Sequence, residues 1–351
     1  MVDNRLTIGI INFMGTKETI VRYLKENKTL SGKELSDFLG ISRQALNKHL
    51  KTLIQNGEVI KEGATRGAIY KIVGKSKPTG RTRKRVILQG LEEDQVFREI
   101  ALLSNLKSDL RENVLDIVRY AFTEILNNAI EHSSSEVSDI EVTMDQYRFS
   151  FKIRDYGIGI FFSIYKKFNL PDENAVIGEL IKGKTTTMRE RHSGEGVFFS
   201  SKSGDVVAFR SHRINLIFDN IKKDVFVEQK RFIEGTEVTF TIGRGSKRIL
   251  EGIFMEFAPE AFDYKFEKTR VYVKLFQTEY ISRSEARRLL AGLDKFREII
   301  LNFKGVNALG QGFADEVFRV FKRQHPDIVI KTENLNPSIA AIIRHVADNK
   351  I

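Results

Sequence analysis

The stretch Glu124-Ile125-Leu126-Asn127-Asn128-Ala129 places a carboxylate and a carboxamide four residues apart within an apolar run. Val114, Val118, Ala121, Ile125 and Ala129 recur at helical spacing between Asp109 and about Ser133, which predicts one long helix with a buried stripe. Residues four apart share a helix face, so Glu124, Asn128 and His132 stand in a row on or beside that stripe. Polar groups in such a place are costly unless they are paired or functional. Glu124 can hold a water or a hydroxyl, and Asn128 offers a neutral oxygen to Mg²⁺, which takes oxygen ligands and keeps several waters. The plainer alternative for this pair is a satisfied hydrogen bond in the core. His132, near a helix end, reads first as a capping or packing residue and only second as a phosphate ligand.

Downstream, Phe149, Phe151 and Ile153 alternate with Arg148, Ser150, Lys152 and Arg154. That is a strand with one buried face, and it delivers Asp155 to the turn Asp155-Tyr156-Gly157-Ile158-Gly159. A carboxylate buried there suits an adenine amino group, and Gly157 and Gly159 let the backbone approach the ring. Ser193-Gly194-Glu195-Gly196 opens a helix and can turn backbone N–H groups toward phosphates. Gly235-Thr236 follows. In chain order these segments describe an ATP pocket.

The ordered set resembles the GHKL ATPases: gyrase, the heat-shock chaperone, histidine kinases, mismatch-repair ATPases and the anti-sigma-factor serine kinases. The resemblance spans about residues 90–245. It implies ATP and Mg²⁺ as cofactors, with Glu124 as general base, Asn128 as the Mg²⁺ ligand, Asp155 as the adenine acceptor and Thr236 as a supporting contact. Gly157, Gly159, Gly194 and Gly196 would lie along the nucleotide. Residues 160–192, with Lys182, Lys184, Arg189 and Arg191, resemble the family's ATP lid; a solvated loop is the other reading. Strand-like runs at 205–209, 214–218, 225–227 and 236–242 complete an α/β sandwich with helices on one sheet. The run Glu-x-x-x-Asn-Ala, then Ile-Glu-His, looks closest to the serine kinases. A carboxylate base serves water and a seryl hydroxyl alike, so hydrolysis and transfer to a protein both stay open.

The chain has 351 residues, 41% of them hydrophobic, and no cysteine. Its length suggests two or three domains, and the absence of cysteine excludes disulfides and thiolate metal sites. With no apolar run of about 18 residues and no signal-peptide pattern, neither a membrane partner nor secretion is expected, and a cytoplasmic protein is the plain expectation. Residues 1–90 hold 18 Lys and Arg against 7 Asp and Glu, which is the whole net charge of +11. A surplus that localised points to a polyanion partner for this segment.

Residues 17–26 read as a helix; Ser31 caps a second that stops at Gly40, and Ser42 caps a third. The third turns Ala45, Leu46, Leu50, Leu53 and Ile54 toward a core and leaves Arg43, Gln44, Asn47 and Lys48 on other faces. Residues 58–62 and 68–73 form a hairpin around Gly63 to Gly67. Residues 1–74 thus resemble the winged helix-turn-helix of transcription regulators, with double-stranded DNA as the partner of residues 1–85. Arg43, Gln44, Asn47 and Lys48 would enter a groove, with Arg66 at the wing tip. The alternative is a winged helix used for dimerisation or protein docking. Residues 75–89 read as a flexible basic linker.

Beyond the GHKL-like segment at 90–248, strands at 271–276, 298–303 and 328–331 alternate with helices at 282–290, 312–321 and 338–346. They predict a small α/β domain over 249–351. The run Arg297 to Val306, followed by Gly310 to Glu316, resembles a STAS-like domain fused to histidine-kinase-type ATPases. That likeness implies a protein partner. The turn Asn307 to Gly312 carries no Ser or Thr, so docking is expected there and a phosphorylation switch is not; Asp315 and Glu316 read as a solvated helix face. The expected whole is multidomain: winged helix, GHKL-type α/β sandwich and STAS-like domain, forming an ATP-controlled transcription regulator. The alternatives are an anti-sigma-type serine/threonine kinase acting on a partner protein, and a module that only binds ATP. No heptad repeat demands a homodimer, which stays open.

Overall fold

The structure, a computed structural model, describes residues 15–27, 29–55, 58–62, 68–72, 80–168, 173–183, 195–275 and 279–348. Arg66, Gly194 and the basic residues Lys184, Arg189 and Arg191 fall outside these. The chain divides into two compact units, Met1–Pro78 and Thr79–Ile351.

In the first unit the order is α1 (Thr16–Asn27), β1 (Thr29–Ser31), α2 (Gly32–Leu39), α3 (Arg43–Gln55), β2 (Val59–Glu62) and β3 (Ile69–Ile72). Ser31 and Glu34 form a reciprocal capping box at the start of α2, and Gly40 ends that helix at φ 63°, a left-handed position that glycine adopts without a Cβ penalty. The Ser42 hydroxyl accepts the Ala45 amide at 3.2 Å and so caps α3. Leu46, Leu50 and Leu53 of α3 join Ile20, Leu24 and Leu35 in one apolar core. Ile54, expected inward, is 37% exposed, because its position on α3 falls beyond the stripe set by Leu46, Leu50 and Leu53. The wing is an antiparallel sheet in the order β1-β3-β2, and β1 is a strand that three residues between two helices gave no periodicity to reveal.

The second unit is built on a five-stranded sheet in the order β4-β5-β6-β8-β7, antiparallel at every pairing. Its strands are β4 (Gly80–Ile87), β5 (Val137–Met144), β6 (Arg148–Asp155), β7 (Val206–Asp219) and β8 (Asp224–Gly243). Between β4 and β5 come α4 (Glu93–Leu103), α5 (Leu106–Asp109) and α6 (Glu112–His132). Between β6 and β7 come α7 (Ile160–Phe168), α8 (Glu173–Lys182) and α9 (Gly196–Ser203). The stripe of α6 is buried as its spacing predicts, and Phe122 meets Phe151 of β6 edge-on at 5.3 Å. The α10 helix (Leu250–Phe257) then leads to a parallel sheet of β9 (Lys268–Tyr272), β11 (Glu298–Asn302) and β13 (Val329–Glu333), in the order β13-β11-β9. A parallel pair, β10 (Glu279–Tyr280) and β12 (Ala308–Leu309), lies in the same region. Its helices are α11 (Arg283–Leu290), α12 (Gln311–Asp315), α13 (Lys322–Gln324) and α14 (Pro337–Asp348), with a π-helical turn at Glu316–Phe321.

Four expectations are corrected here. The linker drawn at 75–89 is, over Gly80–Ile87, the edge strand β4; Arg81 and Arg83 pair with Glu141, and Arg85 with Asp139. Those charges are satisfied by the neighbouring strand, so the surplus belonging to residues 1–79 is smaller, 14 basic against 7 acidic. The four short strand runs between 205 and 242 are two long strands, because positive φ at His212 and Gly235 absorbs register shifts without ending the ladder. No core boundary falls at 248/249: buried residues on both sides belong to one continuous cluster. Lys182, assigned to the lid, is buried; its ammonium donates to Glu179 at 2.9 Å and to the Ala291 carbonyl at 2.8 Å.

Candidate functional site

Asp155 owes its place to strand alternation. Phe149, Phe151, Ile153 and Asp155 all point to the buried side of β6, and Asp155, the last of them, is 5% exposed. The turn after it is pinned to the end of α6: the Ile158 amide donates to the Ser133 carbonyl at 2.8 Å, and a Cβ on Gly157 would collide with that carbonyl. Gly235, at φ 72°, comes so close to the Asp155 carbonyl that it too leaves no room for a side chain. Asp155 Oδ1 accepts the Gly157 amide at 3.0 Å and the Thr236 amide at 3.1 Å. Thr236 Oγ1 accepts the Ile160 amide, the first of α7, at 2.9 Å. Burial raises the Asp155 pKa, and the two amide bonds oppose that rise.

Ser133, Asp155, Ile160 and Thr236 line a cavity of about 420 Å³ between α6, α7, α9 and the sheet. Its apolar wall includes Ile153, Ile160, Ile164, Leu180, Phe209 and Val238. Glu124, Asn128 and His132 of α6 all face it, joined by Asp155, Gly159, Gly196 and Thr236. Of the central residues expected at the site, Gly157 is not in the lining, since it packs under the turn. The Glu124 carboxylate lies against Gly196, where a Cβ would collide with Oε2. Tyr120, Asn127, Glu131, Ser163 and Glu195 also line the cavity. Glu131 was legible as the residue one heptad beyond Glu124, and Tyr120 as the residue four before it; Ser163 carried no signal that separates it from core residues. Burial, together with the carboxylates of Glu124 and Glu195, holds the Tyr120 phenol protonated well above its usual range. Among the described residues the lining contains Glu124, Glu131, Glu195 and Asp155 but no lysine or arginine.

The α9 helix has a second face. Phe198 packs at 5.0 Å from Phe257 and at 4.5 Å from Phe266, so the helix that begins in the cavity ends against the C-terminal part of the same unit. Lys202 near its end is 6% exposed and lies over the rings of Phe198, Phe218 and Tyr272.

In the N-terminal unit Arg43, Gln44, Asn47 and Lys48 are all exposed along the first turns of α3, opposite the leucines that anchor it. Among the described residues none of these four side chains has a partner. Residues 16–80 match an HTH domain. Residues 285–340 match the STAS-like domain of unknown function (DUF4325). No curated protein matches the chain. The chain therefore carries a helix-turn-helix domain at one end and a STAS-like domain at the other, joined through a central antiparallel sheet. No helix among the described residues is long and apolar enough to cross a membrane.

Proposed function

We propose that this protein is an ATP-binding transcription regulator, in which a GHKL-type pocket in the central sheet governs DNA binding by the helix-turn-helix domain. The observation that carries the reading is the convergence of Asp155, Thr236, Glu124 and Asn128 on one cavity. A volume of about 420 Å³ falls in the usual range for small-molecule sites, which pair apolar walls with a few oriented polar groups. With Oδ1 already taken by two amides, Asp155 has a second oxygen to accept an adenine amino group. The apolar wall supplies the faces between which a purine ring is held.

The opposite end is acidic, so phosphates need a counter-charge. Mg²⁺ would answer that need, as an ion held by one or two protein oxygens plus phosphate and water. Asn128 would supply such an oxygen, and Glu124, one turn earlier, would accept a proton from a water or a hydroxyl. Bound Mg·ATP would supply a transferable phosphoryl group and the cation that neutralises it. Arg43, Gln44, Asn47 and Lys48 present donors and acceptors suited to base edges and phosphates.

Because the central sheet and the STAS-like domain share one core, the STAS-like domain is a fixed part of the switch rather than a tethered one. Within the second unit, Arg85 of β4 pairs with Asp139 and touches Tyr156 beside the Asp155 turn. Nucleotide shifts DNA affinity only if it favours one of two arrangements. Calorimetric titration of ATP with Mg²⁺ tests the pocket, and absence of saturable heat rejects it. A gel shift with ATP, ADP and no nucleotide tests the coupling; three equal DNA affinities reject that part alone.

A further inference from the structure

The motif Gly310 to Glu316 is not used by the function proposed above, yet it borders a second cleft. Arg283 of α11, Arg319 of the π-helical turn and His345 of α14 line it, together with Gln311, Gly312 and Asp315. Both guanidiniums are organised by one carboxylate: Arg283 Nη2 and Arg319 Nη2 each donate to Asp315 Oδ2 at 2.8 Å, and Arg319 Nε donates to Oδ1. The Arg283 Nε and Nη1 and the Arg319 Nη1 have no partner among the described residues. The cleft thus keeps one positive charge in excess and three N–H-bearing nitrogens on side chains already held in place. The neighbouring Glu316, expected on a solvated helix face, is instead 6% exposed and paired with Arg287, so it does not cancel that charge.

A second observation sets the place apart. Residues 316–321 widen into a π-helical turn within an otherwise continuous helix from Gln311 to Gln324, a poorer backbone geometry found mostly where function requires it. The turn carries Arg319 to the carboxylate that it shares with Arg283. Gly310 passes so close to Ile281 that only glycine fits without displacing its backbone.

We infer that this cleft of the STAS-like domain binds a phosphate dianion, held by Nε and Nη1 of Arg283 and Nη1 of Arg319. Charge-assisted hydrogen bonds from guanidinium nitrogens to phosphate oxygens are shorter and stronger than neutral ones. The cleft, at about 540 Å³, is several times larger than a phosphate ion, so it accommodates a small organic phosphate monoester as well as free phosphate.

The test follows the Arg Nε–H resonances of the full chain by NMR while inorganic phosphate or phenyl phosphate is added, with NaCl at equal ionic strength as control. Saturable shifts of Arg283 and Arg319 are expected, with a dissociation constant of about 1 mM or tighter. Tighter binding of phenyl phosphate assigns the site to monoesters, and equal binding assigns it to free phosphate; both support the inference. Arg283→Gln and Arg319→Gln should each weaken binding about tenfold, and Arg319→Lys, which keeps the charge but loses the planar group that Asp315 holds in place, should also weaken it. Shifts that stay linear and equal those from NaCl, or saturable binding unchanged in all three variants, would overturn it. The outcome is independent of the central pocket, which none of these substitutions touches.

Discussion

At the scale of single residues, Asp155 separates stability from binding. Its carboxyl titrates above the unfolded value near 3.8 because it is buried, so the folded state holds the proton more tightly than the unfolded chain does. Stability from this group is therefore fullest below the unfolded pKa and declines as pH rises through the folded one. Asp155→Asn keeps an oxygen for the Gly157 and Thr236 amides but turns an NH₂ toward the cavity. The variant should melt no lower than the parent at pH 7, yet bind ATP at least tenfold more weakly, about 1.4 kcal/mol; equal affinity by calorimetry would remove Asp155 from the site. Gly157→Ala should act the other way. Its Cβ collides with backbone rather than with a movable side-chain end, so the fold itself should lose about 1–3 kcal/mol, read as a lower urea midpoint with an unchanged m-value.

Two helices matter most at the scale of elements. Along α3 the exposed face holds Arg43 and Lys48, and removing a cation that neutralises one phosphate should reduce the slope of log affinity against log salt by about 1. Arg43→Ala and Lys48→Ala should therefore flatten that slope for any duplex; unchanged slopes in both would move DNA off this face. Along α9 the critical position is Lys202, whose ammonium is pushed down to about 7 by burial and, less, by Arg270. Its folded pKa lies below the unfolded 10.5, so the penalty of charging it is complete below pH 7 and disappears as pH climbs from there toward 10. Lys202→Met should raise the melting temperature at pH 6, with the gain shrinking by pH 9. A gain independent of pH would show that the three rings already compensate the charge.

For the whole molecule, the division into Met1–Pro78 and Thr79–Ile351 sets the expected behaviour on cutting. A protease site inserted after Pro78 should release two folded pieces. One inserted after Arg248 should not, because Phe198 and Phe199 of the central part pack on Phe254, Phe257 and Phe266 beyond it. Separation into two soluble, folded fragments at Arg248, seen by size-exclusion chromatography and circular dichroism, would refute the shared core.

Local chemistry made much of this legible. The Ser31 and Ser282 capping boxes, the stripe of α6 and the alternation of β6 are set by near neighbours, and so the helix-turn-helix order, the strand that ends at Asp155 and the row from Glu124 to His132 could be read from spacing. What spacing could not carry was long-range pairing. Arg81 to Arg85 look like a basic tether until β5 supplies Glu141 and Asp139 from more than fifty residues away. The same holds for Lys182, whose carbonyl partner at Ala291 is 109 residues distant, and for the cleft where Arg283 and Arg319 meet on Asp315. Sequence determined which residues could bear charge or turn inward; only the tertiary structure decided which charges were already answered from elsewhere in the chain, because a charge is neutralised by proximity in space.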